Sequence, residues 1–169
     1  VNLYQLQLLS AAHHYDISSS AARKLSAKNL VKLFLDFTHI IQPKLFVEAG
    51  AETAETSINV RKLVPAAEIH AFEANSYNHS KYGQEFDHKK FEVNYLNMAL
   101  SDTSGEISFY VRTAVDGKKQ NKVTGKNSIL KRTNSDTDYE EVTVEATTLD
   151  DYFPESEHNG IWVDVEGAT

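Results

Sequence analysis

Lys44-Leu-Phe-Val-Glu-Ala-Gly-Ala51 and Glu68-Ile-His-Ala-Phe-Glu73 are the two stretches that decide the fold. Each is a short, largely apolar run that stops at a small or acidic residue, as parallel strands buried on both faces do. Between them Glu52 to Leu63 has helical spacing, and Pro65 closes it. Beyond them Tyr77 to Asp87 reads as a helix and Phe91-Glu-Val-Asn-Tyr-Leu-Asn97 as a third strand. Strand, helix, strand, helix, strand at this spacing is the pattern of right-handed βαβ units and a parallel sheet. Gly160-Ile-Trp-Val-Asp-Val165 supplies a fourth buried strand, followed by Glu166-Gly167.

Upstream, Ser26 to Ile41 reads as an amphipathic helix. Leu30, Leu33, Phe34, Phe37, Ile40 and Ile41 fall on one stripe, Ser26 serves as N-cap and Pro43 enforces the break. Leu3 to His14 suits a short helix, with a turn over Asp16 to Ser20. The middle of the chain differs. Glu106-Ile-Ser-Phe-Tyr-Val111 and Glu141-Val-Thr-Val-Glu145 alternate as half-exposed strands do, and predict an antiparallel annex. Residues 113 to 138 are polar and Gly-containing, so a loop is expected there, with its Lys118, Lys119, Lys122, Lys126, Lys131 and Arg132 in solvent. Thr148 caps a short helical turn at Leu149-Asp-Asp-Tyr-Phe153. The expected organisation is a helical segment over 1–42 and a three-layer α/β domain over 43–169, with an insertion over about 103–147. The parallel strands should run in the order 3-2-1-4. A fourth strand left at Thr169 would be an unprotected hydrophobic edge, so a further helix and further strands are expected beyond it.

Composition narrows the function. The 169 residues suffice for one domain with its own core, and 41% hydrophobic with 24% charged residues is ordinary for a globular protein. A net charge of −7 disfavours a nucleic-acid partner, because phosphate binding wants a basic face. No apolar run is long enough for a membrane span, so no membrane partner is expected. The chain has no cysteine, which excludes disulfides, thiol catalysis and Cys-ligated zinc and fits a reducing, cytoplasmic compartment. It opens on Val1 rather than Met, which leaves room for an earlier start. The seven histidines show no ligand spacing and no metal is expected; His70, inside a strand, reads as structural.

In an open parallel sheet a ligand binds beyond the carboxyl ends of the strands. After the first strand come Gly50 and Ala51, where the backbone can approach a ligand and the free amides of the next helix face the crevice. After the second comes Glu73, spaced from that turn as a carboxylate that accepts ribose hydroxyls would be. A dinucleotide site prefers G-x-G-x-x-G, but here a single Gly50 is surrounded by Glu48, Glu52 and Glu55. Those carboxylates would repel a pyrophosphate. They favour S-adenosylmethionine, which carries a sulfonium and an ammonium.

Leu45-Phe-Val-Glu-Ala-Gly-Ala-Glu-Thr-Ala54, Ile69-His-Ala-Phe-Glu-Ala-Asn75, Asn97-Met-Ala-Leu-Ser-Asp102, Thr148-Leu-Asp-Asp151 and Trp162-Val-Asp-Val-Glu-Gly-Ala168 together resemble the FkbM family of methyltransferases. The resemblance implies a Rossmann-like class I methyltransferase fold and methyl transfer from S-adenosylmethionine, usually to a hydroxyl oxygen of a small metabolite or glycan. It implies that Glu48, Gly50 and Ala51 cradle the methionine end and that Glu73, followed by Ala74, holds the ribose. Asn97 and Ala99 would border the adenine, and Asp164 would lie near the reactive methyl. Asp164 or Glu166 would then orient the acceptor or take its proton, the alternative for Glu166 being a turn-shaping role. Four positions depart from the family pattern: Glu48 stands for Asp, Glu52 for Asn, Ala54 for the second Gly and Ala74 for Pro. They bear on cofactor affinity more than on cofactor identity and leave open a non-catalytic relative; the alternative from another class is an NAD- or nucleotide-sugar-binding enzyme on a similar fold, which a glycine-richer first turn would favour.

Overall fold

The computed structural model describes residues 16–131, 136–155 and 159–165. The expected helix over 3–14, and Glu166 with Gly167, lie outside these residues. Four helices and eight strands are described: α1 (Ser20–Ile41), β1 (Leu45–Ala49), α2 (Glu55–Leu63), β2 (Glu68–Phe72), α3 (Ser76–Glu85), β3 (Asn94–Leu96), β4 (Ala99–Leu100), β5 (Gly105–Val115), β6 (Lys118–Lys119), β7 (Thr137–Thr147), α4 (Leu149–Tyr152) and β8 (Asn159–Val163).

β1, β2, β3 and β8 form one wholly parallel sheet in the order β3-β2-β1-β8, the expected 3-2-1-4. β1 is central and all five of its residues are buried, which is why its sequence shows no alternation. Phe46, Ile69 and Ala71 face a layer made by Phe34 and Leu35 of α1 and by Ile58, Val60 and Leu63 of α2. Leu45, Val47 and Phe72 face the other way, onto Leu100, Leu149, Tyr152 and Phe153. Among the described residues that second face is covered by one helical turn and β4, not by a full helical layer. Ile161 and Val163 of β8 are exposed on it. No described helix is long and apolar enough to cross a membrane.

α1 begins nearly two turns before the expected start. Ser19, not Ser26, is the N-cap and accepts from the Ala22 amide. Ser26 is buried instead, its hydroxyl bonded to both the amide and the carbonyl of Asp16. Gln42, in the left-handed region at φ 52°, ends the helix just before Pro43. The expected apolar stripe is only partly buried: Leu30, Phe37, Ile40 and Ile41 are exposed, and Phe34 carries the contact with Phe46 and Trp162.

The annex is larger than its alternation suggested. β5 and β7 each run 11 residues and pair antiparallel, with an irregularity between Arg112 and Ala114. β6 extends this second sheet on one side, and β4 joins it in parallel on the other, giving β4-β7-β5-β6. Its core is Ala99, Phe109, Val111, Val144 and Ala146, with Tyr77 of α3 packed against it. The two sheets therefore meet along β4 and α3, and the ends of β1, β2 and β3 open onto that junction. Thr148 caps α4 as expected, accepting from the Asp151 amide.

Candidate active site

A cavity of about 390 Å³ lies at this junction. Gly50, Glu52, Glu73, Ala74, Ala99 and Asp164 line it, each at or just beyond a strand's carboxyl end. The expected residues Gly50, Glu73, Ala74, Ala99 and Asp164 are thus brought together, whereas Glu48, Ala51 and Asn97 do not border the cavity.

Glu73 is the centre of the arrangement. It is 6% exposed, and its two carboxylate oxygens accept from the amides of Glu52 and Asn75, each at 2.7 Å. The Asn78 side chain also bonds it, and since a carboxylate has about four acceptor positions, capacity remains for a ligand. Burial pushes the carboxyl up to about 7, against the pull of the Asn75 and Glu52 amides and with help from the Glu52 carboxylate.

Glu48 has a different job from the one expected of it. Its side chain points along the α2 face of the sheet and accepts from the Ser57 amide at 2.9 Å and the Ser57 hydroxyl at 2.5 Å. Ser57 is in the first turn of α2, whose N-cap, Ala54, has no side chain that can cap. Glu48 of β1 therefore supplies that cap from across the core. Burial raises its carboxyl above the ordinary value, with the Ser57 and Thr56 bonds pulling the other way.

The turn between β1 and α2 is held in an unusual shape. Glu52 and Ala54 both have positive φ, 45° and 59°, a conformation that side chains other than Gly adopt at some cost. Three contacts clamp it. The Glu52 amide donates to Glu73, the Tyr95 hydroxyl donates to the Glu52 carbonyl, and His88 Nε2 lies 3.0 Å from the Thr53 carbonyl. An acceptor carbonyl requires that Nε2 carry the proton. Tyr95 is itself sandwiched between His79 and His88, with centroids 4.7 Å and 4.3 Å away. Burial, then the charge of Glu73, raises the phenol, so it stays a donor.

Gly50 (φ 77°), which borders the cavity, also serves a close approach within the protein. A Cβ there would lie 2.2 Å from the Asp164 carbonyl oxygen, where the end of β8 crosses the turn. The amides expected to face the crevice are also engaged. Those of Gly50 and Ala51 both donate to the Phe72 carbonyl, and that of Ala54 to the Ala51 carbonyl. Asn97 bonds the Glu73 and Ala74 carbonyls at 2.9 and 3.3 Å and so braces the β2 end from behind.

The remaining wall went unread in the sequence. Phe72, Met98, Leu100, Phe109 and Ile129 give the cavity an apolar side. Thr124 to Ile129, part of the polar stretch expected in solvent, roof it. Side-chain amides knot this loop in place: Asn75 donates to the Lys122 carbonyl, Asn78 to Thr124, and Asn127 to both, while the Arg112 amide donates to Asn127. Lys122 adds an ion pair to Glu140 at 2.6 Å and lies over the Tyr77 ring. The available signal was the asparagines themselves, at 75 and 78 at the start of α3 and at 121 and 127 in the polar loop.

A parallel sheet in this order, with a ligand-sized cavity at its strand ends, defines a mixed α/β domain of the Rossmann-like kind. The chain belongs to the FkbM methyltransferase family: the family model described as Methyltransferase FkbM domain matches residues 47–169. Nothing among the curated proteins matches the chain.

Proposed function

We propose that the chain forms the cofactor-binding part of an S-adenosylmethionine-dependent methyltransferase acting on a hydroxyl oxygen of a small metabolite or glycan. The observation that carries the reading is Glu73: a buried carboxylate on the cavity wall, at the second strand's end, with acceptor capacity beyond its bonds to the protein. Two vicinal ribose hydroxyls match that capacity. Met98, Leu100 and Phe109 suit an adenine, and the Glu52 carboxylate suits the cationic sulfonium and ammonium. The same carboxylate disfavours a dinucleotide pyrophosphate, as does the engagement of the Gly50 and Ala51 amides. S-adenosylmethionine, once bound, supplies an electrophilic methyl group.

The protein must then hold the acceptor oxygen in line and let its proton go. Asp164, exposed at the end of β8 and bordering the cavity, is suited to orient that hydroxyl or accept its proton, with Glu166 as the second candidate. The absence of a nucleic-acid partner belongs to the same reading, supported by the acidic net charge, and a cytoplasmic location fits the lack of cysteine. The test is calorimetric titration of S-adenosylhomocysteine and of NAD into the full-length protein and a Glu73→Ala variant. Micromolar binding of S-adenosylhomocysteine alone, weakened about tenfold or more by the variant, is expected from the loss of a charge-assisted bond. A folded protein that binds neither ligand, or binds NAD instead, would overturn the proposal.

A further inference from the structure

The walls of the cavity are unequal in charge. Glu52, Glu73 and Asp164 border it, and Lys126 is its single cationic side chain among the described residues. Lys126 forms no ion pair with a described residue. It is exposed, but it is not placed at random. Its neighbour Asn127 is buried and bonded at both ends of its amide, and Gly125 on its other side lies against Glu52. A Cβ on Gly125 would come within 3.4 Å of the Glu52 Oε2. Lys126 therefore leaves the loop beside the turn that follows β1, the side of the cavity shared with Gly50.

The main chain of that turn offers an anion little. Helix N-termini after a first strand often hold anionic groups on free amides. Here the Gly50, Ala51 and Ala54 amides bond to carbonyls, the Glu52 amide to Glu73 and the Ser57 amide to Glu48. A ligand whose end group combines a cation with a carboxylate would find partners for the cation in Glu52 and Asp164. For the carboxylate it would find Lys126.

We propose that Lys126, carried by the insertion loop, is the recognition site for the α-carboxylate of the methyl donor's amino-acid end. This rests on the S-adenosylmethionine reading above and assigns one atom group of that ligand to one side chain. The insertion then does more than cover the cavity: it supplies the positive charge that the first turn, crowded with carboxylates, cannot.

The experiment compares two ligands that share the nucleoside thioether and differ at the far end. S-adenosylhomocysteine keeps the ammonium and carboxylate; 5′-methylthioadenosine lacks both. Each is titrated into the wild-type protein, Lys126→Ala and Lys126→Arg, at low and at high salt. The expected result is that Lys126→Ala weakens S-adenosylhomocysteine about tenfold at low salt, less at high salt, and leaves 5′-methylthioadenosine unchanged. Lys126→Arg should restore most of the loss. Equal weakening of both ligands, or no weakening of S-adenosylhomocysteine, overturns the assignment while leaving the nucleoside site standing. If the wild-type protein binds neither ligand, the methyl-donor reading itself falls, and this assignment with it.

Discussion

Glu73 should make ligand binding depend on pH across neutrality, in the direction opposite to its effect on the free protein. Its carboxyl, pushed up to about 7 by burial, is half protonated near pH 7 in the empty site. A protonated acid has one fewer acceptor to offer ribose hydroxyls, so only the ionised fraction binds well. The apparent dissociation constant then scales inversely with that fraction, which makes binding about tenfold weaker at pH 6 than at pH 8. For the free protein the sign reverses. The folded-state value lies above the ordinary value of 4.5, so the folded protein holds more protons than the unfolded chain between the two. The stability that Glu73 contributes is complete below pH 4.5, falls as pH rises, and is gone above about 7, a loss of about 3 kcal/mol. The assay is calorimetric titration of 5′-methylthioadenosine, which has no ammonium or carboxylate, from pH 5.5 to 8.5, with urea unfolding over the same range down to pH 4. Glu73→Gln, a neutral isostere, should bind weakly at every pH and lose this component of the stability change. Wild-type binding that stays flat across the range, or tightens as pH falls, would refute the argument.

Substitutions at three other positions separate the contacts that hold the turn after β1. Tyr95→Phe keeps the stack with His79 and His88 but frees the Glu52 carbonyl; it should cost about 1 kcal/mol and, by loosening the Glu52 amide's bond to Glu73, raise the pH midpoint of ligand binding. An unchanged midpoint in that titration would mean the clamp does not reach Glu73. Gly50→Ala drives a methyl group into the Asp164 carbonyl at a positive φ and should cost about 3 kcal/mol in urea unfolding, with the end of β8 displaced; an unaltered unfolding midpoint would contradict the close approach. Glu48→Ala should destabilise by about 2 kcal/mol through the uncapped first turn of α2, whereas Glu48→Gln, which can still accept from Ser57, should cost much less at pH 7. Equal losses in the two Glu48 variants would assign the effect to charge rather than to capping.

The parallel sheet was legible because its two inner strands are buried on both faces. Leu45 to Ala49 and Ile69 to Phe72 have to be apolar or tightly bonded at every position, and such runs stand out without any partner being known. Glu73 was legible for a related reason, since a carboxylate after such a run has few structural uses. The helix-capping contact of Glu48 was not legible, because a carboxylate near a strand's end looks the same in sequence whichever face of the sheet it takes. Only the strand's pleat decides that Glu48 faces α2 while Glu73 borders the cavity. The starts of helices and the lengths of β5 and β7 blurred where local signals compete: Ser19 and Ser26 are equally good caps as residues, and Asp16 decides between them. The roof of the cavity was illegible for a deeper reason. Its order comes from side-chain amides reaching carbonyls more than forty residues away, and such bonds leave no periodicity in either segment.

The pairing of Leu45 to Ala49 with Asn159 to Val163 also sets a schedule for the growing chain. One edge of the central strand must wait while more than a hundred further residues are made, on the order of ten seconds at ordinary rates of synthesis. During that interval β1 and β2 can pair, and the β5–β7 hairpin can close on itself, but the contact of Gly50 with Asp164 cannot yet exist. The cavity is thus among the last features to assemble. A nascent chain caught before that point exposes the unpaired edge of a largely apolar strand, the surface on which aggregation begins and to which a chaperone would bind.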